Sequence, residues 1–180
     1  MAESHIIPRA SIRAWVDDID RNKAGHKNAL NLLLTRQRQL SRYVAKSAGQ
    51  IGASSKRNVL FIQGVLLRVF DLAGGRVGKI NSEDIKDAEA LVTELAPQLM
   101  PLDEGFAQRL RGLDDRSQPH LLDECVNSLF DNPDLDSKQM VQLFLLAWIV
   151  VEAAHKRWDP PSDFEGDESY VYDSSLEPQA

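Results

Sequence analysis

DSKQMVQLFLLAWIVVEAAHKRW, residues 136–158, is the stretch whose reading decides the fold class. Val141, Phe144, Leu145, Trp148 and Ile149 fall at i, i+3, i+4, i+7 and i+8, with Val151 close by, so the segment predicts a helix. Lys156 and Arg157 sit in its last turn, where the negative helix end favours cations. Pro160-Pro161 stops it. The apolar part, Met140–Val151, is shorter than the ~18 residues that suggest a membrane span. A second such stretch runs over Val59–Ala73, interrupted by Gln63 and Arg68. Its Val59, Leu60, Ile62, Val65, Leu66, Val69 and Phe70 cover nearly the whole circumference of a helix. Helices apolar on all sides belong in the middle of a bundle, so these two segments are expected at the centre.

The remaining helices follow outward from that pair. Ile12, Trp15, Val16 and Ile19 predict a helix over 10–22, ended by Gly25. Leu30, Leu33, Leu34, Leu40 and Val44 predict one over 27–47, broken afterwards by Gly49 and Gly52. The next starts at Ser54 or Ser55 and runs to about Leu72, followed by the loop AGGRVGKIN. Ser82 can cap a helix over 82–95, whose Glu83 and Asp84 complement the positive end. Pro97 and Pro101 delimit a connector, and shorter helices are expected over 102–112 and 119–130. No internal repeat and no strand pattern is present. The expectation is an all-α, single-domain bundle of six or seven helices over residues 10–158. A flexible segment (1–9) precedes it, and a disordered acidic tail (159–180) follows, with seven acids and no base.

A chain of 180 residues is the size of one domain. Its one cysteine, Cys125, allows no internal disulfide, which fits a reducing compartment. The first fifteen residues carry no apolar run of the kind that marks a secretory signal. A cytoplasmic location without a membrane partner is therefore expected. The net charge of −6 is unevenly spread. Residues 1–80 hold 14 Lys and Arg against 5 Asp and Glu, and residues 81–180 hold 7 against 22. No acid occurs between Asp20 and Asp71, a window with ten bases. Such asymmetry points to an anionic partner, inside the chain or outside it.

Two basic features fall in that window. Arg38, Arg42 and Lys46 occupy i, i+4 and i+8, with Arg36 just before them. Like charges at this spacing repel by a few tenths of a kcal/mol per pair, and no acid of the same helix relieves them. Either acids from the later helices or the tail pair with the row, or it is open to phosphates. The segment GQIGASSKRN then places Ser54, Ser55, Lys56 and Arg57 at a helix start. Free backbone N–H groups there attract anions. The Walker A spacing is absent. GQIG has the form of the GXXG loop of KH domains, but those domains need a sheet.

The segment RNKAGH, Arg21–His26, resembles the R-N-x-x-x-H ribonuclease motif of HEPN domains, which are also helical bundles. The resemblance covers six residues. It implies a transition-state role for Arg21, an acid/base role for His26 and a supporting role for Asn22. Glu152 and His155 form a single E-x-x-H pair, whereas a di-iron bundle needs two such pairs and two further Glu. Cys125 lies on an apolar stripe and reads as a buried thiol. Tyr170, Val171 and Tyr172 among acids form a segment able to fold on a basic groove. No metal and no cofactor is expected. The leading reading is a non-catalytic interaction protein, an adaptor or subunit with a protein partner, whose basic face and acidic tail engage that partner. The alternatives are a nucleic-acid-binding module and a HEPN-like ribonuclease.

Overall fold

Burial on all sides sets one helix at the centre. In the computed structural model, which describes residues 5–167, the chain forms α1 (Arg9–Arg21), α2 (Lys23–Arg36), α3 (Arg38–Ile51), α4 (Lys56–Val59), a π-helical segment (Leu60–Val65) and α5 (Leu66–Ala73). There follow β1 (Arg76–Val77), α6 (Ser82–Leu95), a 3-10 turn (Ala96–Gln98), α7 (Phe106–Arg111), α8 (Pro119–Phe130), α9 (Ser137–Arg157) and β2 (Trp158–Asp159). The all-α bundle expected from periodicity is what forms.

α9 is buried along its length, from Leu143 and Phe144 through Trp148 to Ala154, against α6, α8, α3 and α5. Each large apolar side chain buried there contributes about 1.5–3 kcal/mol. By length and composition α9 could cross a membrane, but 67% of its most apolar window is buried inside this fold. An Asp136–Gln139 capping box starts the helix. The other central helix is α4 to α5, which bury Ile62, Leu66, Leu67, Val69 and Phe70.

The structure departs from the sequence reading at several points, each for a local reason. The helix expected over 27–47 is two helices, broken at Gln37, whose φ and ψ are −105° and 50°. Gln37 lies on the apolar stripe between Leu33 and Leu40, only 4% exposed. Its Oε1 accepts from Ile80 N (2.9 Å) and its Nε2 donates to Gly78 O (2.9 Å). A buried polar side chain must find such partners, and these lie in the loop after β1. Gly25 does not end α1 but belongs to the first turn of α2. Asn22 is the break, and its Oδ1 accepts from Gly25 N (3.1 Å). A Cβ at residue 25 would collide with the Asn22 side chain, so the glycine makes room for the cap.

The helix expected over 54–72 carries a π segment in its middle. α7 is shorter than 102–112, and α6 is capped by Asn81 rather than Ser82, in a capping box with Asp84.

Strand pairing, not expected at all, occurs as a two-residue antiparallel ribbon: Arg76 opposite Asp159 and Val77 opposite Trp158. Gly75 (φ +72°) makes the turn into it, and a Cβ there would strike the Asp159 carbonyl oxygen.

The folded body also extends beyond residue 158. Phe164 packs edge-on against Trp158, with ring centroids 5.0 Å apart. Asp167 N donates to Ile6 O (2.9 Å), and the Asp167 carboxylate meets His120 Nε2 at 2.9 Å. Residues 159–167 are thus packed on the bundle, where the sequence suggested a free tail. The expected flexible start is anchored at Ile7, which is fully buried and donates its N–H to Gln118 Oε1 (2.9 Å). Residues 1–4 and 168–180, including Tyr170, Val171 and Tyr172, lie outside the described residues.

Candidate basic interaction surface

α3 turns one side to the core and the other to solvent. Leu40, Val44 and Ala48 are fully buried. At about 100° per residue, Arg38 and Arg42 stand about 160° from Leu40 around the helix axis, and Lys46 about 120°. All three are exposed, as are Arg36, Lys56 and Arg57. Among the described residues, none of these six cations, nor Lys27, has a carboxylate oxygen within the 4.0 Å of an ion pair. The other three bases of the acid-free window do have partners. Arg21 lies 4.0 Å from Asp17, Lys23 lies 3.9 Å from Asp20, and Arg68 pairs with Asp71.

Four acids of the later half of the chain pair with other cations. Asp84, almost fully buried, receives Arg157 Nε (2.7 Å) and Nη2 (3.0 Å) and lies 3.3 Å from Lys156 Nζ. Those bonds hold its carboxyl down at about 2, against burial, which works the other way. Asp87 takes Lys156 Nζ at 2.7 Å. Asp123 takes Arg9 at 2.8 Å, and Asp103 takes Arg109 at 2.7 Å. Glu89 of α6 lies at the row's flank. Burial, followed by the Glu89 carboxylate, pushes the Tyr43 hydroxyl up. Glu89 and Tyr43 share an open groove with Arg42 and Lys86.

The start of α4 is less isolated. Ser55, not Ser54, is the cap, and its Oγ accepts from Asn58 N (3.3 Å). Gln139 Nε2 donates to Gly52 O (3.3 Å), and Asn132 Nδ2 donates to Asn58 Oδ1 (3.1 Å). These bonds bring the loop with Asp131, Asp134 and Asp136 alongside Lys56 and Arg57, though not into ion-pair distance. The α3 row is therefore the more open part of the surface.

The residues singled out for chemistry are engaged in structure. His26 is 6% exposed, with Nε2 2.6 Å from Asp18 Oδ2 and Nδ1 accepting from Arg68 Nε (3.1 Å). Neither ring nitrogen is free. Because Arg68 occupies Nδ1 as a donor, the ring proton sits on Nε2. The Arg21 side chain is 81% exposed, and Asn22 serves as the α2 cap. Glu152 accepts from Ser117 N (3.1 Å), Ser117 Oγ (2.6 Å) and Trp148 Nε1 (3.1 Å). His155 faces Gln118 Nε2 at 3.1 Å, and burial pulls its pKa down. Cys125 is fully buried, which pushes its thiol pKa far up. Among the described residues, no three His, Cys, Asp or Glu side chains gather into a metal-binding group.

Sequence reasoning missed the buried Gln37 and Gln118, and it read Asp84 only as a helix-dipole residue and Glu152 only as half of an E-x-x-H pair. Gln37 left a trace, as a polar residue in register with an apolar stripe. Gln118 left none. Comparison with family models, with curated proteins and with solved structures gives no match to this chain.

Proposed function

We propose that this chain is a non-catalytic helical interaction protein, an adaptor or subunit that docks an anionic partner through the basic face of α2 to α4. One observation carries the reading: seven of the ten bases between Asp20 and Asp71 have no described carboxylate in ion-pair distance, in a chain of net charge −6. Like charges at i, i+4 and i+8 work against the helix that holds them. A protein with an excess of acids has the means to neutralise such a row, yet the four later carboxylates that do pair with Lys or Arg side chains take Arg9, Arg109, Lys156 and Arg157. The groups that could do chemistry, His26, Cys125, Glu152 and His155, are buried or bonded to neighbours, which favours binding over catalysis.

Heparin, a generic polyanion, tests this. An acidic protein with evenly mixed charge passes through a heparin column near neutral pH. This chain is expected to be retained and to elute with salt, and the triple variant Arg38→Glu/Arg42→Glu/Lys46→Glu is expected to flow through. Failure of the wild type to bind, or equal retention of the variant, counts against the proposal.

A further inference from the structure

We infer that the anionic partner of this face is a nucleic acid, gripped by its phosphate backbone. This inference rests on the reading of α2 to α4 as a docking surface.

The row itself has dimensions that suit a phosphate chain. Eight residues of helix advance about 12 Å. Along one strand of a duplex, that distance covers about three to four phosphates at ~3.4 Å of axis each. Arg38, Arg42 and Lys46 thus offer one cation for nearly every phosphate they pass.

The surroundings argue against a protein partner. Protein interfaces draw their energy from buried aromatic and aliphatic anchors at the centre of the patch. The exposed uncharged positions beside and after the cations of α3 are Gln39, Ala45, Gly49 and Gln50. None offers an apolar anchor, and the aromatic next to Arg42, Tyr43, is half-buried beside the Glu89 carboxylate of α6. A Cβ on Gly49 would meet nothing within 4 Å, so packing does not require a glycine there. Ala45 and Gly49 leave a low strip beside the charged heads, along which a bulky backbone can approach. Leu32, four residues before Arg36, is exposed at 49%, and a single exposed apolar side chain is ordinary on a protein surface. What the face offers is charge and hydrogen-bond donors, the chemistry by which proteins position themselves on phosphates without reading bases.

The test is fluorescence anisotropy with the full chain, using a short labelled DNA duplex in one arm and labelled poly-L-glutamate in the other. Three phosphate contacts predict a slope of log K against log salt of about −2.7, or a loss of affinity of about 40-fold when salt rises fourfold. Arg42→Gln is expected to lower that slope by about one. Arg42→Glu is expected to weaken duplex binding sharply. Arg111→Glu, the same charge change on the exposed surface of α7, is expected to leave it within about twofold. Circular dichroism of each variant confirms that the fold is intact. If polyglutamate binds through the same face and the duplex does not, the nucleic-acid inference is overturned while the anionic-partner reading stands. If neither binds at low salt, both fall. Duplex binding that ignores Arg42 also overturns the inference.

Discussion

Replacing Gln37 should cost this protein a large part of its stability, although its side chain is polar. Its side chain makes two hydrogen bonds that tie the α2–α3 break to the loop at Gly78–Ile80. Ile80 is fully buried, so its N–H cannot turn to water when Gln37 Oε1 is removed. Two lost hydrogen bonds are worth about 0.5–1.5 kcal/mol each, and the stranded N–H adds about 1–3 kcal/mol. The expected loss for Gln37→Ala is therefore about 2–6 kcal/mol. In urea, with a slope of about 2 kcal/mol per M, the midpoint should fall by about 1–3 M at unchanged slope. Gln37→Met keeps the side-chain volume and loses the same bonds, so it should lose nearly as much. Gln39→Ala, two residues on and exposed, should stay within about 0.5 kcal/mol. If Gln37→Met proved as stable as wild type, the break would be held by packing alone and the reasoning would be refuted.

Asp84 gives an acid-stability prediction. Its carboxyl is held at about 2 by Arg157, below its ordinary value of 3.8. A depressed carboxylate stabilises the fold fully above the ordinary value and loses that contribution as pH falls through the folded one. The difference is worth about 2 kcal/mol, so Asp84→Asn should flatten the pH dependence of unfolding between pH 4 and 2. His155, pulled down by burial, should contribute stability above its ordinary value that is lost as pH falls below it; in His155→Gln, unfolding monitored through that range should lack the step. His26→Ala should lower the melting temperature, because it removes the bonds to Arg68 and Asp18 and opens a buried site, and should leave duplex binding unchanged; retention of full stability would remove the structural role given to this ring. Cys125 should resist thiol reagents in the native protein and react on unfolding, and rapid native labelling would contradict its burial. Arg42→Gln should raise stability by about 0.4–1 kcal/mol, since it removes two repulsive i, i+4 pairs, while weakening polyanion binding; a loss of stability would mean that the row is not under electrostatic strain.

The fold class was legible because apolar residues wrap the two central segments, and no tertiary context can put such helices on a surface. The breaks were harder to read. Gln37 interrupts an apolar stripe, but a polar residue in a stripe marks a kink only if a partner loop exists to receive it, and that loop is 41 residues further on. The π segment at Leu60–Val65 leaves no residue-type signature at all. The acids of 159–167 read as a solvated tail because charge dominates the composition, yet Phe164 packs edge-on against Trp158, and Asp167 meets His120. The basic face was visible as a run of cations without acids. Whether distant carboxylates would cover it depended on the pairing of α6 with α9, which no local pattern encodes. The RNKAGH match likewise carried no information about burial: His26 turns inward to Arg68 while Arg21 faces solvent.

A backbone-amide chemical-shift titration of the full chain with a short DNA duplex at low salt locates the nucleic-acid face. Perturbations should concentrate in residues 36–57, strongest around Arg38, Arg42 and Lys46, and reverse on added salt. Shifts centred on another part of the surface, or none at all, would rule out nucleic-acid docking on α2 to α4.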